Sequence, residues 1–159
     1  MNCLTRAVGT VLTALVCWLF AISATATYRT VALSYEYVGT LTDSILNQVM
    51  ADPDYTADNR LLMAGLPDET RVQDTNALYW YSQYQRSPLF WGGTHGILDC
   101  WPTYLYDYHG FNAGGVTLAE YENIVSSAEF AAMPVYPQAG SITYFGDVLV
   151  VKLEENPPQ

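Results

Sequence analysis

Two histidines and two aspartates stand close together in the chain, His95 with Asp99 four positions on and Asp107 with His109 two positions on. An imidazole oriented by a carboxylate can move a proton or hold a metal ion, because the carboxylate fixes which ring nitrogen carries the hydrogen. Gly96, Pro102 and Gly110 interrupt this stretch and argue against one continuous helical face. No His-Glu-x-x-His or paired-cysteine pattern supplies the spacing that zinc geometry needs. Loop residues satisfied by backbone or water account for the same four side chains. Neither a G-x-S-x-G nucleophile elbow nor a glycine-rich phosphate loop ending in Lys-Ser or Lys-Thr occurs. Cys3 and Cys17 lie before and inside an apolar span, which leaves Cys100 as the only cysteine beyond it and excludes a disulfide there. Beside Trp101, Cys100 reads as a small apolar residue. The sequence thus offers no catalytic set and no metal or cofactor site.

More distinctive is the aromatic density of Tyr79, Trp80, Tyr81, Tyr84, Phe90, Trp91, Trp101, Tyr104, Tyr106, Tyr108 and Phe111. Faces of Tyr and Trp lie well against sugar rings, while their hydroxyl and indole groups, with Asp99, Asp107 and Asn112 nearby, can hydrogen-bond sugar hydroxyls. The same rings suit the core of a small domain, or a belt at a membrane interface. Tyr104, Tyr106 and Tyr108 alternate with Leu105 and Asp107, so a strand here would carry an all-tyrosine face. That face, with Trp101 and Asp107, is the candidate glycan contact.

The elements that must position these residues follow from apolar spacing and breakers. From Ala7 to Thr27 there is no charged residue, and about twenty apolar residues are what a helix needs to cross about 30 Å of hydrocarbon. Val31, Tyr35, Val38, Leu41, Ile45, Leu46 and Val49 then fall on one helical face, which should end at Asp52-Pro53. Leu61-Leu62-Met63-Ala64, bounded by Gly65 and Pro67, reads as a buried strand. Asp74-Thr75-Asn76 caps a helix to about Arg86. From Ser87 to Val116, glycines and prolines predict short, broken structure. Thr117-Leu-Ala-Glu120 has the capping-box spacing for a helix to about Ala132, halted by Pro134. Ser141 to Phe145, Gly146-Asp147 and Val148 to Leu153 read as a hairpin on a two-residue turn. The expected fold is α/β in the sense of α+β: one N-terminal transmembrane helix (residues 1–27), an extracytoplasmic domain of about three strands with covering helices and a C-terminal β-hairpin (28–153), and a disordered tail (154–159).

Charge narrows the partners. Beyond the span, sixteen carboxylates face five basic residues, Arg29, Arg60, Arg71, Arg86 and Lys152, a formal charge of −11. Nucleic acid is excluded as a partner, since its phosphates are bound by neutralising cations, and so is a polybasic hold on anionic lipid. Arg6 is the only charge before the span, which places the N-terminus in the cytoplasm and the acidic domain outside a single-pass cell-membrane protein. A cleaved secretory signal is the alternative, with Met1 to Arg6 as its basic start and Ala24-Thr25-Ala26 as its cleavage site.

The closing run Met133-Pro-Val-Tyr-Pro-Gln-Ala-Gly-Ser-Ile-Thr-Tyr-Phe-Gly-Asp-Val-Leu-Val-Val-Lys-Leu153 resembles the end of the GtrII-type membrane glucosyltransferases. In that family a last transmembrane helix leads into a small extracytoplasmic domain finished by a similar Met-Pro-x-Tyr-Pro, Gly-Ser-Ile and Val-Val-Lys-Leu signature. The resemblance covers roughly residues 10–153 in order and character and is specific in the last twenty or so. It implies transfer of glucose from a polyprenyl-phosphate carrier to a cell-surface polysaccharide such as O-antigen. Family catalytic acids belong to loops between early membrane helices, which have no counterpart here, so no catalytic residue carries over. The chain is then expected to be the tail of such an enzyme, a truncated product or one piece of a split one, inactive alone and partnered with a membrane-embedded glycosyltransferase subunit and the lipid bilayer. Two readings compete: an exported module that binds glycan or polyprenyl-phosphate sugar through its aromatic surface, and a structural subunit packing Gly9, Thr10, Thr13 and Ala14 against a partner helix.

Overall fold

The computed structural model describes residues 3–67 and 93–157. The expected helix from Asp74 to Arg86, and the aromatics from Tyr79 to Trp91, lie outside the described residues.

Helix α1 (Cys3–Ala51) runs 49 residues without a break, about 74 Å at roughly 1.5 Å per residue. Its first part contains Ala7–Ala26, 20 residues long and apolar enough to cross a membrane, with none of it buried against protein. Its last part buries Val38, Thr42, Ile45, Leu46 and Val49, one stripe at three- and four-residue spacing. The sequence suggests two segments with a boundary near residue 27; the structure fuses them. No proline precedes Pro53 and no glycine lies between Gly9 and Gly39, so nothing interrupts the hydrogen-bond ladder. Threonine hydroxyls fold back onto it: Thr13 donates to the Gly9 carbonyl at 2.9 Å, Thr25 to Ala21 at 2.8 Å and Thr42 to Val38 at 2.7 Å. Such bonds satisfy a hydroxyl where water is absent. The helix ends where the proline predicts, and the Asp52 carboxylate accepts from the Asp54 N–H at 3.0 Å to turn the chain.

Strand β1 (Arg60–Ala64) pairs in parallel with β3 (Val148–Lys152), and β2 (Ile142–Phe145) pairs antiparallel with β3. The sheet order is β1-β3-β2. Every residue of the central strand is buried, which explains its uninterrupted Val-Leu-Val-Val run. The hairpin register sets Phe145 opposite Val148, leaving Gly146 and Asp147 as the turn. Gly146 has φ +66°, the conformation the first position of such a turn requires.

Helix α2 (Gly93–His109) is the main departure from expectation: 17 residues continue through Pro102 where broken structure is predicted. Gly93 and Gly96 fall in its first turn, and Ile97, Trp101, Tyr104 and Leu105 bury one face, so tertiary packing outweighs local propensity. Gly110, at φ +63°, closes the helix by donating to the Tyr106 carbonyl at 3.0 Å. The strand reading of Tyr104 to Tyr108, and the all-tyrosine face with it, is therefore corrected. The single helix expected from Leu118 to Ala132 is also corrected, to α3 (Leu118–Val125) and α4 (Ala128–Ala132). Between them the Ser126 hydroxyl donates to the Glu122 carbonyl at 2.6 Å and the Ser127 hydroxyl to Ile124 at 2.7 Å, serines competing with the backbone ladder. The capping box forms as predicted, with the Thr117 N–H donating to Glu120 Oε2 at 2.8 Å and the Glu120 N–H to Thr117 Oγ1 at 3.3 Å.

The upper stripe of α1, the inner faces of α2 and α3, Phe130 of α4 and the sheet share one core. The fold is thus a small α+β domain on a three-stranded sheet, built onto an apolar N-terminal helix. Beyond β3, Glu154 Oε2 accepts from the Leu66 N–H at 3.4 Å and Pro157 is buried, while Glu155 and Asn156 are exposed.

Candidate functional site

Helical geometry divides the five candidate contact residues. Trp101 and Tyr104 are 1 % and 7 % exposed and belong to the core, whereas Tyr106 and Tyr108 are each 65 % exposed and Asp107 is exposed. Trp101 Nε1 donates to the Gly65 carbonyl at 3.1 Å, so its one polar group is committed to the end of β1. Tyr104 lies edge-on to Trp101 at 6.0 Å and stacks on Tyr108 at 4.9 Å between ring centroids. Burial raises the Tyr104 pKa, and the nearby Asp43 carboxylate adds to the shift. Tyr106, Asp107 and Tyr108 remain as a small solvent-facing patch at the end of α2.

The Asp107–His109 pair of the sequence does not form, and the side chain of His95 lies outside the described residues. Asp99 is exposed, and His109 Nδ1 instead meets Asp43 of α1 at 3.2 Å. Its other nitrogen, Nε2, is buried without a hydrogen-bond partner. A carboxylate-oriented imidazole does exist, but it joins two helices with its second nitrogen shut away from solvent. Among the described residues no three His, Cys, Asp or Glu side chains are grouped to hold a metal ion.

Two charged constellations are structural. Arg60 donates from Nε to Asp147 at 2.8 Å, from Nη2 to Glu120 at 2.9 Å and from Nη1 to the Gly115 carbonyl at 3.0 Å. It joins β1 to the hairpin turn and to the capping box of α3. The guanidinium, helped by Thr117, holds the Glu120 carboxyl down at about 2, and it lowers that of Asp147. Lys152 is buried in the central strand, and its Nζ donates to the Met133 carbonyl at 2.8 Å and the Phe130 carbonyl at 3.3 Å, beside the Phe130 ring. These are carbonyls at the end of α4, where a cation is favoured. The Lys152 N–H donates to Ser141 at 2.9 Å and its carbonyl accepts from the Tyr136 N–H at 2.8 Å. The Met-Pro-x-Tyr-Pro, Gly-Ser-Ile and Val-Val-Lys-Leu pieces therefore converge on one residue.

Sequence reasoning gives no hint of a cleft of about 290 Å³ between α1 and the Met133–Pro137 turn. Among the described residues it is lined by Tyr37, Thr40, Leu41 and Ser44 of α1, with Pro67, Val135, Tyr136, Pro137 and Leu153. The four α1 positions follow i, i+3, i+4, i+7 spacing, but of them only Leu41 belongs to the apolar stripe read from the sequence. The opposite wall comes from residues about a hundred positions later. Beside it the hydroxyls of Ser44 and Tyr136 lie 2.8 Å apart, and Gln48 Nε2 donates to the Tyr136 hydroxyl at 2.9 Å. Compared with known proteins, the chain matches no family model, no curated protein and no solved structure.

Proposed function

We propose that this chain forms the membrane-anchored, extracytoplasmic closing part of a glucosyltransferase of the GtrII type, which moves glucose from a polyprenyl-phosphate carrier to a cell-surface polysaccharide. The observation that carries this reading is the convergence on Lys152. Pieces of the closing signature that are separate in sequence bind one buried lysine, which is a physical reason for them to occur together. The fusion of the apolar span with the scaffold helix of the domain also supports it, because a domain so mounted stands directly over the membrane face. In this reading Arg6 keeps the N-terminus cytoplasmic, and the acceptor-activating carboxylate comes from the membrane-embedded part of the enzyme. The domain itself contributes positioning and no catalytic residue.

The test is complementation. A polytopic glucosyltransferase deprived of its own terminal helix and domain is expressed with and without this chain, and glucose added to the surface polysaccharide is measured. Transfer should appear with both partners, which should copurify, and be absent with this chain alone. Transfer by the chain alone would contradict an accessory role. Failure to copurify or to restore transfer favours the second reading, an exported glycan-binding module, for which the exposed Tyr106 and Tyr108 speak.

A further inference from the structure

We propose that the cleft between α1 and the Met133–Pro137 turn binds a neutral pyranose unit of the acceptor polysaccharide, and not the sugar of the lipid-linked donor. At about 290 Å³ it stands near the lower end of ligand pockets, about 300–1,000 Å³, the size of one monosaccharide. Its walls carry the aromatic rings of Tyr37 and Tyr136 with Leu41 and Pro137, and its polar groups are the hydroxyls of Ser44 and Tyr136 and that of Thr40, which donates to the Glu36 carbonyl at 2.9 Å and faces a ligand as an acceptor. Flat apolar surface beside neutral hydroxyls matches a sugar ring, whose apolar face packs on aromatics while its edge hydrogen-bonds. The Ser44–Tyr136–Gln48 chain fixes the Tyr136 hydroxyl before any ligand arrives, which limits the ordering cost of binding. Among the described residues no Lys or Arg lines the cleft. The described lining thus offers a phosphate-bearing ligand none of the cationic donors that such groups attract.

Height separates acceptor from donor once Ala7–Ala26 spans a bilayer. Tyr37 lies eleven helical residues beyond Ala26, which at about 1.5 Å per residue is about 17 Å above the hydrocarbon edge. The headgroup layer extends only about 5–8 Å beyond that edge. A sugar esterified to a lipid phosphate sits at headgroup level, below the cleft. A polysaccharide strand approaching from outside meets the cleft directly.

The inference rests on the glycan-handling reading for the word acceptor, and its test does not depend on transfer. The full chain is placed in lipid nanodiscs. Binding of short neutral oligosaccharides, released from the surface polysaccharide of the cell that makes the chain, is followed by saturation-transfer NMR. The expected result is saturable binding, weakened about tenfold or more by Tyr37→Ala and about threefold by Tyr136→Phe, as truncation of an aromatic anchor does. It should be unchanged in Asp58→Asn and not displaced by polyprenyl-phosphate glucose in the same nanodiscs. Thr40→Trp fills the cleft from its exposed rim and should abolish binding with the near-ultraviolet circular dichroism intact, which keeps the test valid if Tyr37→Ala fails to fold. No saturable binding, displacement by the lipid-linked sugar, or loss on Tyr106→Ala with retention on Tyr37→Ala and Thr40→Trp would each overturn it. Binding through the cleft without complementation of a transferase would leave this inference standing and remove the accessory-subunit reading.

Discussion

On the same unbroken helix, Leu15 is 55 % exposed and Ile45 is fully buried. Around Leu15 the apolar residues point in every direction and meet nothing of the protein; around Ile45 they form a stripe against the sheet and α2, and the exposed Asp43, Asn47 and Gln48 lie outside it. The contrast separates two uses of one backbone. A helix that is apolar all round needs an apolar solvent, while a striped helix supplies one wall of a core. The local hydrogen-bond ladder does not distinguish them; what differs is where the surface is buried.

The largest effect should come from breaking the upper half. Ile45→Ala removes side-chain volume from a closed core site, and unfolding of the domain in nanodiscs, followed by tryptophan fluorescence, should show a loss of about 2–5 kcal/mol. Leu15→Ala should leave that transition within about 0.5 kcal/mol of wild type; an equal loss from both would dissolve the contrast. Next comes the lower half. Leu15→Lys places a charge mid-span at a cost of about 2.5–3.5 kcal/mol, so the fraction of chain resisting alkaline extraction from membranes should fall while the domain transition holds. An unaltered extraction profile would mean that this half does not span.

Lys152→Met tests a buried cation in the domain half. Leaving the Phe130 and Met133 carbonyls without their donor should cost about 1–3 kcal/mol, with faster proteolysis in the 133–141 turn. A more stable variant would show that desolvation of the ammonium outweighs its bonds. Acid should have the smallest effect, and only on the domain. Arg60 holds the folded Glu120 carboxyl at about 2 against an ordinary 4.5, so its contribution is fully present above about pH 4.5 and is lost as pH falls towards 2. Glu120→Gln should flatten that part of the pH–stability curve. Should the curve keep its slope in the variant, another carboxylate carries it.

Elements fixed by nearby residues were legible in the sequence. The turn at Gly146-Asp147 needs a positive φ only at its first position, and the Thr117–Glu120 box closes within one helical turn, so each is decided within a few residues. The β1 strand and the apolar span announce themselves by composition. The continuity of α2 was not legible, because Gly96 and Pro102 argue locally for a break and only the burial of Ile97, Trp101 and Leu105 against distant strands overrules them. The division of α3 from α4 turned on which carbonyls two adjacent serines choose. For the candidate site the limit was topological: the walls of the cleft are far apart in sequence, and the partner of His109 proved to be Asp43 on another helix. The tyrosines of α2 were visible as a cluster, but their division between core and surface depended on helix against strand.

The unbroken backbone through residues 27–30 has a mechanical consequence. With no hinge between the apolar span and the scaffold, α1 is a lever whose lower arm, in the anchored reading proposed above, lies in the lipid. A spanning helix adjusts to bilayer thickness by tilting, over a range of about 0–40°. A change of tilt of about 10° would carry the top of α1, about 37 Å beyond Ala26 at roughly 1.5 Å per residue, sideways by about 6 Å. Membrane thickness would thus set where the domain hangs over the surface, as the pitch of a mast sets the place of its top.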